Sequence, residues 1–414
     1  IDTEELISGV AVAYGRTGDP TLLSIARRQG RTLLSPDGLA VAEGLAESHD
    51  QPFDFTSTRL RDGPDGDRGA LDILREGDDR TGQTLVMKNT AQGMGHGHYD
   101  RLNWLFYDNG NEVVTDYGAA RFLNIEAKAG GVYLPENDTW ASQTIAHNTL
   151  VVDGRSQFDG DLETAEAHWP ATGQFVTDNG LQIASSRMVG AWDGVVFDRS
   201  LMLVRHPDLP LPVAIDLLRA RADHAVRYDL PLHFNGHIMT VDFEARRNLT
   251  HRPVLGDAAG YQHLWVDSVS PVAETERSLA WLLDGRFYTY RFGSSVPSQA
   301  LLVESGANDP DFNLRRQPAL IQRTEGQGRV SFFSVLEPHG RYDGTGETVT
   351  GSASRIASLR HGTSASAEVV VLTLTTGAVL AIGLADDSSS TAAHRVTVDG
   401  QTYQWSGTHA RFDR

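Results

Sequence analysis

The sequence contains no cysteine in its 414 residues. Disulfide bonds and thiolate metal sites are therefore excluded, and any bound metal must use histidine, aspartate or glutamate. The sequence also lacks a nucleophile elbow, a Walker phosphate loop and a dinucleotide-binding glycine motif placed between a strand and a helix. No run of residues is apolar enough to span a bilayer as a helix. Histidine and carboxylate chemistry is what remains for a functional site.

Basic residues are scarce compared with acidic ones. The sequence has 36 lysines and arginines against 54 aspartates and glutamates, which gives a formal net charge of −18. This charge disfavours general binding to nucleic acid or to anionic membranes. An anionic substrate would need its own local group of arginine, lysine, histidine or metal.

The chain begins with Ile1 rather than methionine. We therefore expect a processed or truncated product from which a targeting segment has been lost. The absence of cysteine suits a protein outside the cytoplasm, so we expect a periplasmic or secreted location.

The pattern of apolar residues changes along the chain from helical to extended. Residues 1–50 predict two or three helices, one of which starts at Asp19-Pro20 with aspartate as N-cap and proline in the first turn. These helices are too few to bury their own apolar face, so we expect the end of a larger helical domain. Residues 51–85 are turn-rich and poor in apolar residues, and we predict a linker there. Residues 86–414 show many short strands separated by turns, typical of a large antiparallel β-sandwich.

A β-hairpin is predicted at Asn109-Gly110. Leu102, Trp104 and Phe106 occupy alternate positions before this dipeptide, and Val113-Val114 follow it. Asn-Gly between two such runs is the strongest short-range signal for a hairpin.

Histidines and carboxylates concentrate around this hairpin. His96, His98 and Asp100 stand at every second position, and in an extended segment such residues point to the same side. Asp116 lies just beyond the hairpin turn, and His147 follows 31 residues later. Two histidines and one carboxylate form a sound zinc site with water in the fourth position. The alternative is that these histidines only form hydrogen bonds at the rim of a sheet.

Tyr133 lies in a loop rich in glycine and proline. As an acid or base it would need its pKa of about 10 lowered by nearby positive charge, for which Arg121 is one candidate. The alternative is a surface packing residue. His233 and His237 could form a second metal pair, but Asn235-Gly236 breaks any helix between them, so we favour a structural role.

Residues 93–102, Gly-Met-Gly-His-Gly-His-Tyr-Asp-Arg-Leu, resemble the signature of the heparinase II/III-like polysaccharide lyases. Together with residues 116–122 and 146–154, they are most similar to the oligoalginate lyases of polysaccharide lyase family seventeen. The resemblance implies a mainly β fold, in which a large antiparallel β-sandwich follows the C-terminal helices of an α/α toroid. It also implies a lyase that cleaves mannuronate-rich alginate oligosaccharides from their ends by β-elimination.

The resemblance further implies a structural zinc ion in the sandwich. The residues that match the family's zinc ligands are His98, Asp116 and His147. His96 matches a histidine that faces the substrate, and Tyr133 matches the tyrosine proposed as the catalytic base. Substrate-binding arginine is the role implied for Arg121.

Part of the family's active site has no match in this chain. In the family, an Asn-His pair and a second tyrosine come from the toroid, whereas the residues before His96 contain no Asn-His pair and only one tyrosine, Tyr14. We therefore expect the C-terminal part of such an enzyme, which works with an N-terminal α/α toroid as a segment or separate chain. The other partners implied are an anionic uronate oligosaccharide or polysaccharide and a second copy in a homodimer.

Two other functions are compatible with the sequence. One is a lyase acting on heparan sulfate or another uronate polysaccharide, since the fold and the zinc site would be shared. The other is a non-catalytic carbohydrate-binding β-sandwich, since half of the active site has no match in these residues.

Overall fold

A computed structural model describes residues 3–77, 81–93, 97–118, 134–306 and 313–414. The chain forms two compact units, Ile1–Thr56 and Ser57–Arg414. Within the described residues, no helix has the length and apolar character needed to cross a membrane.

The first unit contains the helices expected from the sequence. They are α1 (Glu4–Thr17), α2 (Pro20–Gln29) and α3 (Pro36–Ala46). The side chains of Thr3, Asp19 and Ser35 cap the three N-termini by accepting backbone N–H bonds, which satisfies donors that a helix leaves free. The helices share a small apolar core of their own. Their origin in an α/α toroid stays a prediction.

The second unit begins with a five-stranded antiparallel sheet in sequential order. Its strands are β1 (Thr58–Arg61), β2 (Ala70–Glu76), β3 (Gln83–Asn89), β4 (Asn103–Asp108) and β5 (Asn111–Val114). Asp108 pairs with Asn111 across the β4–β5 turn. Asn109 and Gly110 between them both have positive φ, 54° and 76°, as a two-residue type I′ hairpin requires. The predicted hairpin is confirmed.

The predicted linker differs from the structure. The division between the two units lies inside residues 51–85, but β1, β2 and the start of β3 lie there too. Strand β2 was not predicted because of Asp72. This aspartate occupies a position of the strand that faces the core, and it is fully buried. Its carboxylate is paired with Arg59 at 2.6 Å. An inward-pointing charge hides the alternation that would otherwise predict a strand.

A twelve-stranded antiparallel sheet forms the middle of the second unit. Eight of its strands follow the order β11-β14-β15-β17-β10-β9-β8-β7, and β6, β12, β13 and β16 pair beside them. The bounds are β6 (Val151–Val152), β7 (Ala171–Asp178), β8 (Leu181–Trp192), β9 (Val195–Val204), β10 (Val213–His233), β11 (His237–Val241), β12 (Arg246–Arg247), β13 (Leu264–Val269), β14 (Arg277–Leu283), β15 (Arg286–Ser294), β16 (Ser298–Ser305) and β17 (Gln317–His339).

Smaller elements complete the chain. The remaining strands are β18 (Arg341–Asp343), β19 (Thr348–Thr350), β20 (Ile356–Thr363), β21 (Ala367–Leu374), β22 (Val379–Ala385), β23 (Ala393–Val398), β24 (Gln401–Ser406) and β25 (His409–Asp413). Strands β20, β21, β22 and β25 form a four-stranded sheet, and β23 pairs with β24. Short helices in the described parts of the chain are a π-helix (Asn137–Ala141), the 3-10 helices Thr144–Ala146, Gln157–Gly160 and Tyr261–His263, and α4 (Leu162–Glu166).

The twelve-stranded sheet is covered on both faces. Its side chains, among them Trp281 and Leu232, pack with Trp104 and Phe106 of the five-stranded sheet. A separate apolar cluster joins its other face to β20, β21 and β22. Burial on two faces accounts for its long apolar strands, since each covered face removes apolar area from water. The predicted mainly β, antiparallel fold is confirmed.

Candidate functional site

Four side chains named from the sequence converge next to a lysine of β3. Lys88 Nζ lies 2.6 Å from Asp100 Oδ2, and His147 Nδ1 lies 2.6 Å from Asp116 Oδ1. The rings of His98 and His147 are 5.0 Å apart between centroids. We call these five residues the histidine cluster. Its members come from β3, the β3–β4 loop, the end of β5 and the segment before β6.

The β3–β4 loop brings His98 and Asp100 together. Residues 97–102 pair in no sheet. After Asp100 the chain turns at Leu102, which has a positive φ of 62°, and the Asn103 N–H donates to the Asp100 carbonyl at 3.0 Å, so the chain enters β4 directly behind the two side chains. Gly97 is needed for close packing, because a Cβ there would lie 1.3 Å from the Gln92 carbonyl oxygen.

His147 is fully buried and held in one orientation. Its Nε2 lies 2.9 Å from the Ala141 carbonyl oxygen, and a carbonyl can only accept, so Nε2 carries the proton. Nδ1 therefore points toward Asp116 and Asp100, 2.6 Å and 4.0 Å away. A ligand histidine that donates its other N–H to a backbone carbonyl is a common arrangement around metal ions.

Asn148 fixes the backbone next to His147. Its amide Nδ2 donates to the carbonyls of Trp104 and Thr115 at 2.9 and 2.7 Å. Its Oδ1 accepts from the His233 N–H at 2.6 Å. One buried amide thus ties together β4, the end of β5 and β10, so the position of His147 relative to Asp116 is set by direct hydrogen bonds.

Burial and mutual charge shift the protonation of the cluster. Burial, helped by the nearby charge of His147, lowers the pKa of His98 to about 4. Burial also opposes charge on His147, but Asp116 outweighs it and raises the pKa of His147. His147 in turn overcomes the effect of burial on Asp116 and holds the pKa of that carboxyl well below its usual range. A neutral His98 beside an ionised Asp116 offers two donors to a cation.

The geometry also assigns a place to Asp100. The donor atoms of His98, Asp100 and His147 lie within 4.8 Å of one another. Asp100 has no solvent exposure, whereas the Asp116 side chain is 23% exposed. Imidazole nitrogens and carboxylate oxygens are the donors that Zn²⁺ takes where cysteine is absent. Among the described residues, this cluster therefore fits a cation of that kind.

A second buried polar group lies directly beside the cluster. Arg199 forms a two-bond pair with Asp216, at 2.8 Å from Nε and 2.6 Å from Nη2. Its Nη1 donates to the carbonyls of Leu102 and Asn148, and its guanidinium lies over the Trp104 ring. We call this group the Arg199 bridge. It attaches the β3–β4 loop and the segment before β6 to the twelve-stranded sheet.

The structure describes only some of the residues of the predicted site. It brings together His98, Asp116 and His147, the residues implied as zinc ligands. His96, Arg121 and Tyr133 lie outside the described residues, and their roles stay predictions. His233 is buried, and its Nε2 donates to the Ile145 carbonyl.

Sequence reasoning missed Lys88. A signal was present, because only two of the 36 basic residues are lysine, Lys88 and Lys128, and the rest are arginine. In a chain that uses arginine almost everywhere, a lysine inside a strand indicates a position where the two residues are not interchangeable.

The fold agrees with the comparisons to known proteins. The family model described as "Heparinase II/III-like, C-terminal" matches residues 58–361. The chain belongs to this family, as the resemblance of residues 93–102 implied. A second model, "Exo-oligoalginate lyase-like, C-terminal domain", matches residues 374–410, where β21 ends and β22 to β25 follow.

Individual relatives are similar over the whole chain. An alginate lyase of Stenotrophomonas maltophilia (strain K279a) is 62% identical over 414 residues, which are 100% of this chain and 56% of that protein. An exo-oligoalginate lyase of Saccharophagus degradans is 48% identical over 410 residues, 98% of this chain and 56% of that protein. The chain thus spans little more than half the length of these curated relatives.

Solved structures show the same fold. A heparinase III structure superposes with a TM-score of 0.58 at 11% sequence identity, covering 97% of this chain and 47% of the heparinase chain. At this identity the likeness concerns the fold alone.

Proposed function

We propose that this chain is the C-terminal part of a polysaccharide lyase that degrades alginate oligosaccharides. The observation that carries the proposal is the 62% identity to an alginate lyase over all 414 residues. The 48% identity to an exo-oligoalginate lyase supports cleavage from the chain end. Mannuronate-rich substrate is part of the same proposal. The alternatives are heparan sulfate as substrate, and a carbohydrate-binding β-sandwich without catalysis.

The proposed reaction is a β-elimination on a uronate unit. A base removes the C5 proton, the C4–oxygen bond breaks, and a C4–C5 double bond forms in the sugar that keeps the carboxylate. Negative charge builds on that carboxylate, so positive or hydrogen-bonding groups must face it. We assign the base to Tyr133 and contact with the substrate to His96 and Arg121. A proton from an upstream residue would complete departure of the C4 oxygen.

We also propose a structural zinc ion held by His98, Asp116 and His147. The orientation of His147, with Nε2 on the Ala141 carbonyl and Nδ1 toward Asp116, supports this set. When bound, zinc would supply a cross-link between the β3–β4 loop, the end of β5 and the segment before β6. This chain's own residues then position the loops that present His96 and Tyr133.

The remaining partners and location are part of the same proposal. The residues that neutralise the substrate carboxylate and protonate the leaving oxygen would come from an N-terminal α/α toroid. This fits the 56% coverage of both curated relatives. A periplasmic or secreted location suits an enzyme that meets alginate oligosaccharides, and a homodimer is a further expectation.

The deciding experiment compares the 414-residue chain with the same chain carrying its upstream segment. Each is incubated with polymannuronate, polyguluronate and heparan sulfate, and unsaturated products are followed by ultraviolet absorbance. We expect product from polymannuronate only with the upstream segment present. Normal rates from the chain alone would contradict the need for the toroid. Product from heparan sulfate alone would identify heparan sulfate as the substrate in place of alginate. Absence of product from all three polysaccharides would favour a carbohydrate-binding domain without catalysis.

We predict that Tyr133→Phe abolishes activity of the complete enzyme and leaves it folded, because phenylalanine cannot accept the C5 proton. Product formation is the measurement, and the melting temperature of the variant is the control. Full activity in Tyr133→Phe would remove this residue as the base.

A further inference from the structure

Asp100 is a buried carboxylate with one oxygen in use. Lys88 Nζ donates to Oδ2 at 2.6 Å. The other oxygen, Oδ1, has no hydrogen-bond partner among the described residues and is shielded from solvent. A buried carboxylate oxygen without a partner costs free energy that a bound cation would recover.

Three other buried carboxylates among the described residues are bound differently. Asp216, Asp72 and Asp229 each receive two hydrogen bonds from one arginine, one on each oxygen. The planar guanidinium makes this two-bond contact, whereas a lysine ammonium acts as a point charge. Lys88 is one of only two lysines in the chain. A lysine at this position leaves Asp100 Oδ1 free, whereas a two-bond arginine contact like that of Arg199 with Asp216 would occupy it.

Asp108 is a useful contrast. It is also fully buried, accepts from Arg286 and Tyr288 on Oδ2 alone, and leaves Oδ1 without a partner. It is not part of any metal-capable group among the described residues. A free oxygen alone is therefore not a site. Asp100 differs because one of its carboxylate oxygens lies within 4.8 Å of a ring nitrogen of each of His98 and His147, and its Oδ2 lies 4.0 Å from His147 Nδ1.

We propose that Asp100 is a further donor to the cation of the histidine cluster, beyond the three residues named from the family resemblance, and that Lys88 keeps its Oδ1 free. The inference rests on the zinc site proposed above. Lys88 has a second effect, since it balances the Asp100 charge when no cation is bound and so keeps that carboxylate buried. With Asp116, the site would then offer two carboxylates and two imidazoles.

The test is zinc binding by the full 414-residue chain, measured as metal content after dialysis and as affinity by competition with a chromophoric chelator. We expect about one zinc per wild-type chain. Asp100→Asn should weaken zinc binding at least ~10-fold, as loss of one oxygen donor does in metal sites. Lys88→Arg should weaken it as well, because the guanidinium takes both Asp100 oxygens. Asp108→Asn is the matched control and should bind zinc like the wild type.

The double variant Lys88→Met with Asp100→Asn separates donation from charge. It restores the net charge of the site and removes the buried lysine that Asp100→Asn leaves without its partner. It therefore also guards against misfolding of the single variant, which circular dichroism would reveal. If Asp100 is a donor, the double variant stays weak. Recovery of wild-type affinity would show that only charge matters and would overturn the inference.

The remaining outcomes distinguish this inference from the proposal beneath it. A wild-type chain without zinc would overturn the zinc site and this inference together. Zinc in the wild type with unchanged affinity in folded Asp100→Asn would overturn this inference alone. Unchanged affinity in Lys88→Arg would remove the role assigned to the lysine. Alginate cleavage is scored separately and bears on the lyase activity.

Discussion

The Arg199 bridge and the histidine cluster are neighbouring buried polar groups that differ in how many of their carboxylate oxygens accept hydrogen bonds. In the bridge, both oxygens of Asp216 accept from Arg199, and the remaining bonds of the guanidinium go to two backbone carbonyls. In the cluster, Asp100 Oδ1 has no partner among the described residues. A saturated group fixes the chain, whereas an unsaturated one keeps acceptors available for a ligand.

The two groups depend on each other through the backbone. Arg199 holds the carbonyls of Leu102 and Asn148, which are two residues from Asp100 and one residue from His147. The saturated bridge therefore holds the unsaturated cluster in place. This division predicts that stability and cation binding respond to different substitutions.

The largest effect on stability should come from Arg199→Met. Arg199 is 1% exposed, and its removal leaves the Asp216 carboxylate buried without a counter-charge, which costs about 3–5 kcal/mol. The free energy of unfolding, measured by urea denaturation, checks this. The control is Arg199→Met combined with Asp216→Asn, which removes both charges and should recover part of the loss. Equal free energies of unfolding for Arg199→Met and wild type would contradict the stabilising role assigned to the Arg199 bridge.

A smaller change in the free energy of unfolding should appear with pH through His233. This residue ends β10, and its N–H donates to Asn148, the residue after His147. Burial lowers the pKa of His233 to about 4. Between pH ~6.5 and ~4, His233 is therefore protonated in the unfolded chain and neutral in the folded chain. Stability therefore falls as pH decreases through this window, by at most about 3 kcal/mol for this residue. His147 acts in the opposite sense, since its pKa is raised.

The measurement compares wild type and His233→Gln by urea denaturation at pH 7, 5.5 and 4. Glutamine can still donate to the Ile145 carbonyl, so the variant isolates the titration. We expect His233→Gln to lose less stability than the wild type on acidification. Parallel pH profiles for the two proteins would contradict the prediction.

The smallest effect on the metal-free chain should come from His98→Ala. The His98 side chain is half-buried, so we expect less than about 1 kcal/mol of destabilisation without metal. With zinc at about 1,000 times its Kd, the wild type should gain about 4 kcal/mol that the variant lacks. Melting temperatures with and without zinc, and zinc content, measure this. Wild-type zinc content in His98→Ala would remove His98 as a ligand.

Local features of this fold were predictable from sequence, and long-range ones were not. The Asn109-Gly110 hairpin follows from two residues that accept positive φ. Strand β2 was missed because Asp72 sits at a buried position, and its partner Arg59 comes from a different strand. The contact of Lys88 with Asp100 depends on how β3 and the following loop meet, which no periodicity of either segment encodes.

The candidate site shows the same limit. His98, Asp116 and His147 were identified through resemblance, and their spacing alone left a hydrogen-bonding role open. The every-second-position spacing predicts that Asp100 lies on the same side as His98, and the structure places the two side chains in one group with His147. Whether an oxygen is free or occupied depends on three-dimensional partners, so the role of Asp100 became visible only in the folded chain.

The Asn148 amide joins the two described segments that flank residues 119–133. It donates to the Thr115 carbonyl, next to Asp116, and Asn148 itself directly follows His147. Tyr117 adds an edge-on contact with Trp140 between the same two segments. The spacing of Asp116 and His147 is therefore set by contacts between these segments, so a substitution at Asn148 would be felt by both residues at once.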